Sequence, residues 1–243
     1  MAHLHAVLHR ALEQAAQWGL TPRNVAKLVT PPRPARREMA TLSPEQARAS
    51  LEAAEGDRLE ALYVLALSTG MRQGELLALR WRDVDLEGGT LQVRATLQRT
   101  RDGFQFAEPK TARSRRQVAL TKPAVEALRR HRSRQLEERL QMGAAWEDND
   151  LVFANEVGRP IEAGNLIRRS FHPLLDRAGL QHIRFHDLRH TAATLALGKG
   201  VHPKIVAEML GHSQIAVTLD LYSHVTPTMQ RQAAEALEAA LSR

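Results

Sequence analysis

The sequence predicts a mostly α fold with a small antiparallel β-sheet inserted early in the chain. Three observations carry that prediction. Apolar residues recur at helical spacing through residues 4–18 and again after residue 43. The period shortens to two within residues 81–120, around a Gly-Gly turn. Long helical patterns return from residue 122 and continue to the end. With 243 residues, the chain can hold one large or two small domains and a sizeable core.

Each element has its own signal. Leu4, Leu8, Ala11, Leu12, Ala15 and Trp18 make one apolar stripe, closed near Gly19. "TPPRPARREMA", residues 30–40, carries three prolines and three arginines and reads as an extended basic linker. In "LSPEQ", Ser43 is the expected N-cap, Pro44 the first helical residue and Gln46 the return arm of a capping box. A strongly apolar helix follows, with Leu59, Leu62, Tyr63, Ala66 and Leu67 on one stripe, broken at Gly70 before another helix begins. "VDLEGGTLQVRATLQ" alternates as strands do, and "RRQVAL" reads as one more short strand. No internal repeat or low-complexity tract appears. The expected division is residues 1–29, a linker over 30–40, and one domain over 41–243.

Composition narrows the function classes. Lys and Arg number 34 against 27 Asp and Glu, a net charge of +7, which suits a polyanionic partner such as nucleic acid. With no cysteine, disulfides, thiolate zinc sites and thiol nucleophiles are excluded. No apolar run reaches the roughly 18 residues that a membrane span needs. The N-terminal stretch, interrupted by His, Arg and Glu, does not read as a signal peptide, so a cytoplasmic protein is expected.

The densest chemistry lies in "FHDLRHTAAT", residues 185–194. His186, Arg189 and His190 share one helical face, with Leu188, Ala192 and Leu195 opposite, so the nitrogens are expected to point outward. The i, i+4 histidines match a zinc-helix spacing, but Asp187 stands where that pattern carries Glu. Arg189 on the same face would also repel a divalent cation. No metal or cofactor is therefore expected, and a solvated polar face is the simplest alternative. Matching groups stand elsewhere. Arg72 opens a helix just after Gly70, where free N–H groups and a guanidinium can meet a phosphate. Lys110 is expected at a strand–turn junction, followed by Arg113, Arg115 and Arg116, which are expected to touch DNA backbone. His212 follows Leu210-Gly211, and Tyr222 lies ten residues on. Of the two tyrosines, Tyr63 sits in an apolar stripe and reads as core, leaving Tyr222 for chemistry.

These segments, in this order, resemble the tyrosine recombinases of the phage integrase family: Arg in "TGMRQGE", Lys in "PKTARSRR", His-x-x-Arg in "HDLRHT", His in "LGHS" and Tyr in "DLYSHV". The resemblance covers about residues 40–230. It implies the tyrosine recombinase catalytic-domain fold and places Arg72, Lys110, His186, Arg189, His212 and Tyr222 at the six active-site positions. Glu75 matches an acidic position that supports the site, and His190 a position read here as structural.

The implied chemistry suits these residue types. Two arginines can clamp the non-bridging oxygens of a phosphodiester as charge builds there. His212 adds a hydrogen bond. A phenol, with an ordinary pKa of about 10, needs a base or a cationic pocket to attack, and His186 can take its proton. Lys110 would protonate the departing 5′ oxygen. The resemblance implies a 3′-phosphotyrosyl intermediate and double-stranded DNA as partner. It implies a tetramer on DNA docked through the C-terminal helix, with a monomer expected without DNA. Residues 1–29 are then expected to be the last helix of a core-binding domain. Two other readings stay open: a topoisomerase-like nicking–closing enzyme, and an inert DNA-binding remnant.

Overall fold

The computed structural model describes residues 2–31, 40–108, 115–212, 215, 218–219 and 238. The chain divides into two compact units, Met1–Met39 and Ala40–Arg243.

In the first unit, helix α1 (Ala2–Gln17) is followed by a single 3-10 turn, Val25–Leu28. Asn24 caps that turn by accepting from Ala26 N, and its amide donates to His9 O and to Glu13. The predicted stripe is present but little covered, with Leu4 at 64% and Trp18 at 70% exposure.

The second unit begins as the sequence predicts. Ser43 Oγ accepts from Gln46 N and Gln46 Oε1 accepts from Ser43 N, closing the capping box of α2 (Pro44–Glu52). Helix α3 (Glu60–Thr69) is buried on nearly every side because eight of its ten residues are apolar or small. Gly70 ends it in the left-handed conformation, φ 62°. A Cβ there would stand 2.4 Å from Leu210 Cδ2, so only glycine lets the chain turn so close to the later helices. Helix α4 (Gln73–Leu77) follows.

Strands β1 (Val84–Asp85), β2 (Thr90–Val93) and β5 (Arg116–Ala119) form an antiparallel sheet in the order β1-β2-β5. Leu91 pairs with Val118, and Val93 with Arg116. Leu91, Val93 and Val118 are buried, so this alternating face closes the core. Between β2 and β5 stands a second hairpin that the sequence reading missed, β3 (Thr96–Thr100) with β4 (Gly103–Ala107). Part of its signal was available: the turn dipeptide Asp102-Gly103 is followed by the alternating Phe104 and Phe106, and Gly103 has φ 122°.

Continuous helix after residue 122 is also corrected. Helix α5 (Lys122–Met142) is long, but residues 146–162 are irregular, held by bridges Arg80–Leu151 and Ala154–Pro160. Short α6 (Ala163–Leu166), a π turn (Ile167–Phe171) and α7 (His172–Arg177) lead to α8 (Phe185–Gly198) and α9 (Pro203–Leu210). Helix α3 packs against both α5 and α8. Phe171 links the middle of this core, 6.0 Å from Tyr63 and edge-on to Phe185 at 5.2 Å.

Candidate active site

Three segments far apart in sequence meet where α3 ends, α8 begins and α9 ends. Arg189 lies one turn into α8, on the side that faces Gly70. It is buried, 3% exposed, and its Nη1 donates to Gly70 O at 2.8 Å. This corrects the outward-pointing reading of the helix: Asp187, Leu188, Arg189, Thr191, Ala192 and Ala193 are all buried, so most of its circumference is covered. Arg189 Nη2 is buried without a hydrogen-bond partner among the described residues. Burial, then the neighbouring Arg72, pushes its pKa down to about 9, which leaves it cationic at neutral pH.

Arg72 stands at the N-cap of α4. Its side chain is 39% exposed and is steered by Glu75, whose Oε1 accepts from Arg72 Nη1 at 2.7 Å and whose Oε2 accepts from Arg72 N at 3.0 Å. Its other terminal nitrogen, Nη2, donates to Gly211 O at 3.3 Å. Glu75 is only 4% exposed. Burial alone would raise its carboxyl pKa, but bonds from Arg116 and Arg72 hold it below the usual carboxylate value.

His212 follows the left-handed cap Gly211, φ 69°. Its backbone N–H donates to Ala207 O, and Nδ1 lies 2.8 Å from the buried Thr218 hydroxyl. Burial, then Arg189 and Arg72, pushes its pKa down to about 4, so the ring is neutral at pH 7. His186 and His190 sit edge to face at 4.8 Å on the outer side of α8. Desolvation, His190 and Arg189 hold His186 below the ordinary imidazole value, leaving a neutral ring able to accept a proton.

The structure thus brings Arg72, Arg189 and His212 around one spot; His186, on the exposed side of α8, feels His190 and Arg189, and it is His190 whose charge reaches His212. Tyr63 is core as expected: its hydroxyl contacts Ser170 at 2.5 Å, and burial raises its pKa well above that of a free phenol. Lys110, Arg113 and Tyr222 lie outside the described residues. Arg115 is exposed and paired with Glu108. Arg116 departs from the expectation of a backbone-contacting arginine. Its guanidinium is 7% exposed and bonds inward to Glu75 and to Met209 O. The signal was its register, because Arg116 shares the inward face of β5 with Val118. Thr218 was not singled out either, and its spacing from His212 carries no sequence signal. Among the described residues no group of three or more His, Asp or Glu side chains is placed to hold a metal ion.

Two guanidiniums, one of them with a buried unpaired nitrogen, and a neutral imidazole thus converge on a mostly helical domain. The phage integrase family profile matches residues 40–229, and the chain belongs to that family. It is 38% identical over 226 residues to a tyrosine recombinase XerC-like protein of Caldanaerobacter subterraneus subsp. tengcongensis, covering 87% of this chain and 58% of that protein. To an integrase of Streptomyces ambofaciens it is 36% identical, over 93% of this chain and 60% of that one. The chain therefore spans about three fifths of the length of these curated relatives. A crystal structure of XerA recombinase superposes with TM-score 0.62 at 29% identity, covering 89% of this chain and 68% of that one. The fold is also that of the Tn1549 transposon integrase in complex with a circular intermediate DNA, with TM-score 0.77 and 23% identity over 97% and 78% of the two chains.

Proposed function

We propose that this chain is the DNA-cutting and rejoining portion of a site-specific recombinase or integrase. The observation that carries the reading is the convergence of Arg72, Arg189 and His212, with Arg189 Nη2 buried and unpaired. A buried donor without an acceptor is costly, and a scissile phosphate would supply the acceptor. Both guanidiniums then stabilise charge that grows on the non-bridging oxygens as the phosphorane forms. His212 is neutral and offers one ring N–H to the same phosphate, its other nitrogen being held by Thr218.

Tyr222 is the nucleophile: its oxygen bonds to phosphorus, the bond to the 5′ oxygen breaks, and a 3′-phosphotyrosyl link remains. His186 accepts the phenol proton and Lys110 donates one to the departing 5′ oxygen. Reversal with a different 5′-hydroxyl rejoins strands without an external energy source, since the covalent link conserves the bond. The set needs no metal, because its cations are side chains. Double-stranded DNA is the partner, recognised chiefly through phosphates and therefore salt-sensitively. Residues 1–29 are the end of a preceding helical DNA-clamping domain and 30–40 the linker to it. Copies assemble as a tetramer on DNA through the C-terminal helix and act on the chromosome in the cytoplasm.

A nicked suicide duplex tests the reading. Once the short flank diffuses away, cleavage cannot reverse and a protein–DNA adduct accumulates. The unsubstituted chain is expected to form a denaturation-resistant adduct, and Tyr222→Phe none. No adduct at any protein concentration, with DNA still bound, overturns the enzyme reading in favour of an inert DNA-binding remnant.

A further inference from the structure

Arg116 is bound into the site from a third direction. It opens β5, the strand that follows the Lys110 segment, and its three nitrogens reach two other elements. Nη2 donates to Glu75 Oε2 at 2.9 Å, Nη1 to Glu75 Oε1 at 3.3 Å, and Nε to Met209 O at 2.7 Å in the last turn of α9. Glu75 therefore lies between two guanidiniums, each of its oxygens accepting from both Arg72 and Arg116. At the end of α9, Arg116 bonds Met209 O while Arg72 Nη2 bonds Gly211 O. A cation there also complements the negative end of the helix dipole. Gly211 is fitted to this contact: its φ is 69°, and a Cβ would stand 2.9 Å from Arg116 Nη1 and 3.2 Å from Cζ.

From this geometry we infer that Arg116 is a positioning residue, a clamp that sets the separation of Arg72 and His212 by gripping Glu75 and the C-terminal turn of α9 together. It does so from the strand that leads out of the Lys110 segment. The inference rests on the strand-cutting reading above and replaces the expectation that Arg116 touches the DNA backbone. Burial explains the difference. At 7% side-chain exposure, the guanidinium is aimed at internal acceptors, whereas a phosphate-contacting arginine keeps its fork open to solvent. Lysine could not substitute, because one ammonium cannot grip a carboxylate through two nitrogens and a carbonyl through a third.

The test uses Arg116→Lys, Arg116→Met, Glu75→Gln and the Arg116→Met/Glu75→Gln double variant on the suicide duplex. Displacing reacting groups by about an ångström costs on the order of 100-fold. Cleavage by Arg116→Lys at saturating DNA is expected to fall about 10- to 100-fold, while half-saturating DNA concentration and the salt dependence of binding stay unchanged. For Arg116→Met the acid limb of the pH–rate profile is expected to move upward, since Glu75 loses a cation that keeps it ionised. The double variant is expected to be far less impaired than the product of the single effects, because both substitutions break one interaction. Thermal melts of all four report folding. If Arg116→Met does not fold, Arg116→Lys with Glu75→Gln completes the cycle. Unchanged cleavage at saturating DNA, strictly multiplicative effects, or a salt slope reduced by about one with an unmoved pH profile would each overturn the clamp. No adduct from the unsubstituted chain would instead sink the strand-cutting reading itself.

Discussion

The first turns of α4 and α8 are built alike and do different things. Each opens on an arginine at the N-cap with an acid three residues on, Arg72–Glu75 and Arg184–Asp187. Glu75 accepts from Arg72 N at 3.0 Å and from its guanidinium at 2.7 Å; Asp187 accepts from Arg184 N at 2.9 Å and from its guanidinium at 2.7 Å. Both acids are buried, and each satisfies a donor that a helix start leaves orphaned. The difference is what else arrives. Glu75 receives Arg116 from β5, and Arg72 reaches Gly211 at the end of α9. Arg184 stays exposed and bonds Asp187 alone among the described ion pairs. The local motif makes a helix cap. A second arginine from a distant strand and a third helix end tie one copy into the proposed phosphate site.

The largest effect that sharpens this contrast belongs to Arg189. Arg189→Met removes a guanidinium whose Nη2 is buried and without a partner among the described residues, at the point where Arg72 and His212 also converge. Adduct formation is expected to fall on the order of 100- to 1,000-fold, the usual cost of one transition-state donor. The thermal midpoint is expected to hold or rise, because an incompletely paired buried cation is replaced by an apolar chain. Opposite signs in the two assays identify a group held for function at the expense of stability. A parallel fall in both would make Arg189 structural.

Next come the paired acids. Glu75→Gln is expected to slow cleavage about 10- to 100-fold. Asp187→Asn should cost about 1 kcal/mol of stability as a weakened cap and leave cleavage per folded molecule unchanged. Equal effects would break the comparison. Glu75 also sets a pH window. Its folded pKa lies below the unfolded value of about 4.3. Its stabilisation is therefore present above that pH and lost as pH falls through the folded value. Denaturation midpoints of the unsubstituted chain and Glu75→Gln should thus converge in acid.

Much of this was legible beforehand. Arg72, Arg189 and His212 came from residue type, order and flanks, and Gly70 and the Ser43 box from backbone rules that act within a few residues. What the sequence hid was depth. Arg189 shares a helical face with two histidines, so periodicity alone placed it outward, whereas α8 is covered on most of its circumference. Arg116 belongs to a run of three arginines in six residues, where its neighbours' exposure masked its own inward register. The β3–β4 hairpin escaped because its apolar face is short and two arginines interrupt it. In each case a tertiary neighbour, not a local propensity, decides the outcome.

His212 offers a smaller and independent check. Its folded pKa of about 4 lies under the unfolded value of about 6.5. The charged ring is disfavoured by burial and by the two arginines, so stability is expected to decline as pH falls from about 6.5 toward 4. His212→Gln removes that decline while keeping a donor. Denaturant midpoints between pH 7 and 4 should fall less for the variant than for the unsubstituted chain. Identical slopes would mean that the ring does not sit in the field of Arg72 and Arg189.

The smallest expected effect separates Arg115 from its buried neighbour. Arg115 is 57% exposed and paired only with Glu108, itself 80% exposed, among the described ion pairs. Such a surface pair is worth little to stability, so Arg115→Ala should leave the melting curve in place. Read as a phosphate contact, it should lower the slope of log affinity against log salt by about one and weaken binding alike on all sequences. Cleavage at saturating DNA should not change. Arg115→Ala and Arg116→Lys therefore predict mirror-image results from adjacent positions: a changed salt slope with normal chemistry, against a normal salt slope with slowed chemistry. If the two variants behave alike, side-chain direction along β5 is not what divides their roles, and the contrast between exposed contact and buried clamp fails at its most closely matched pair.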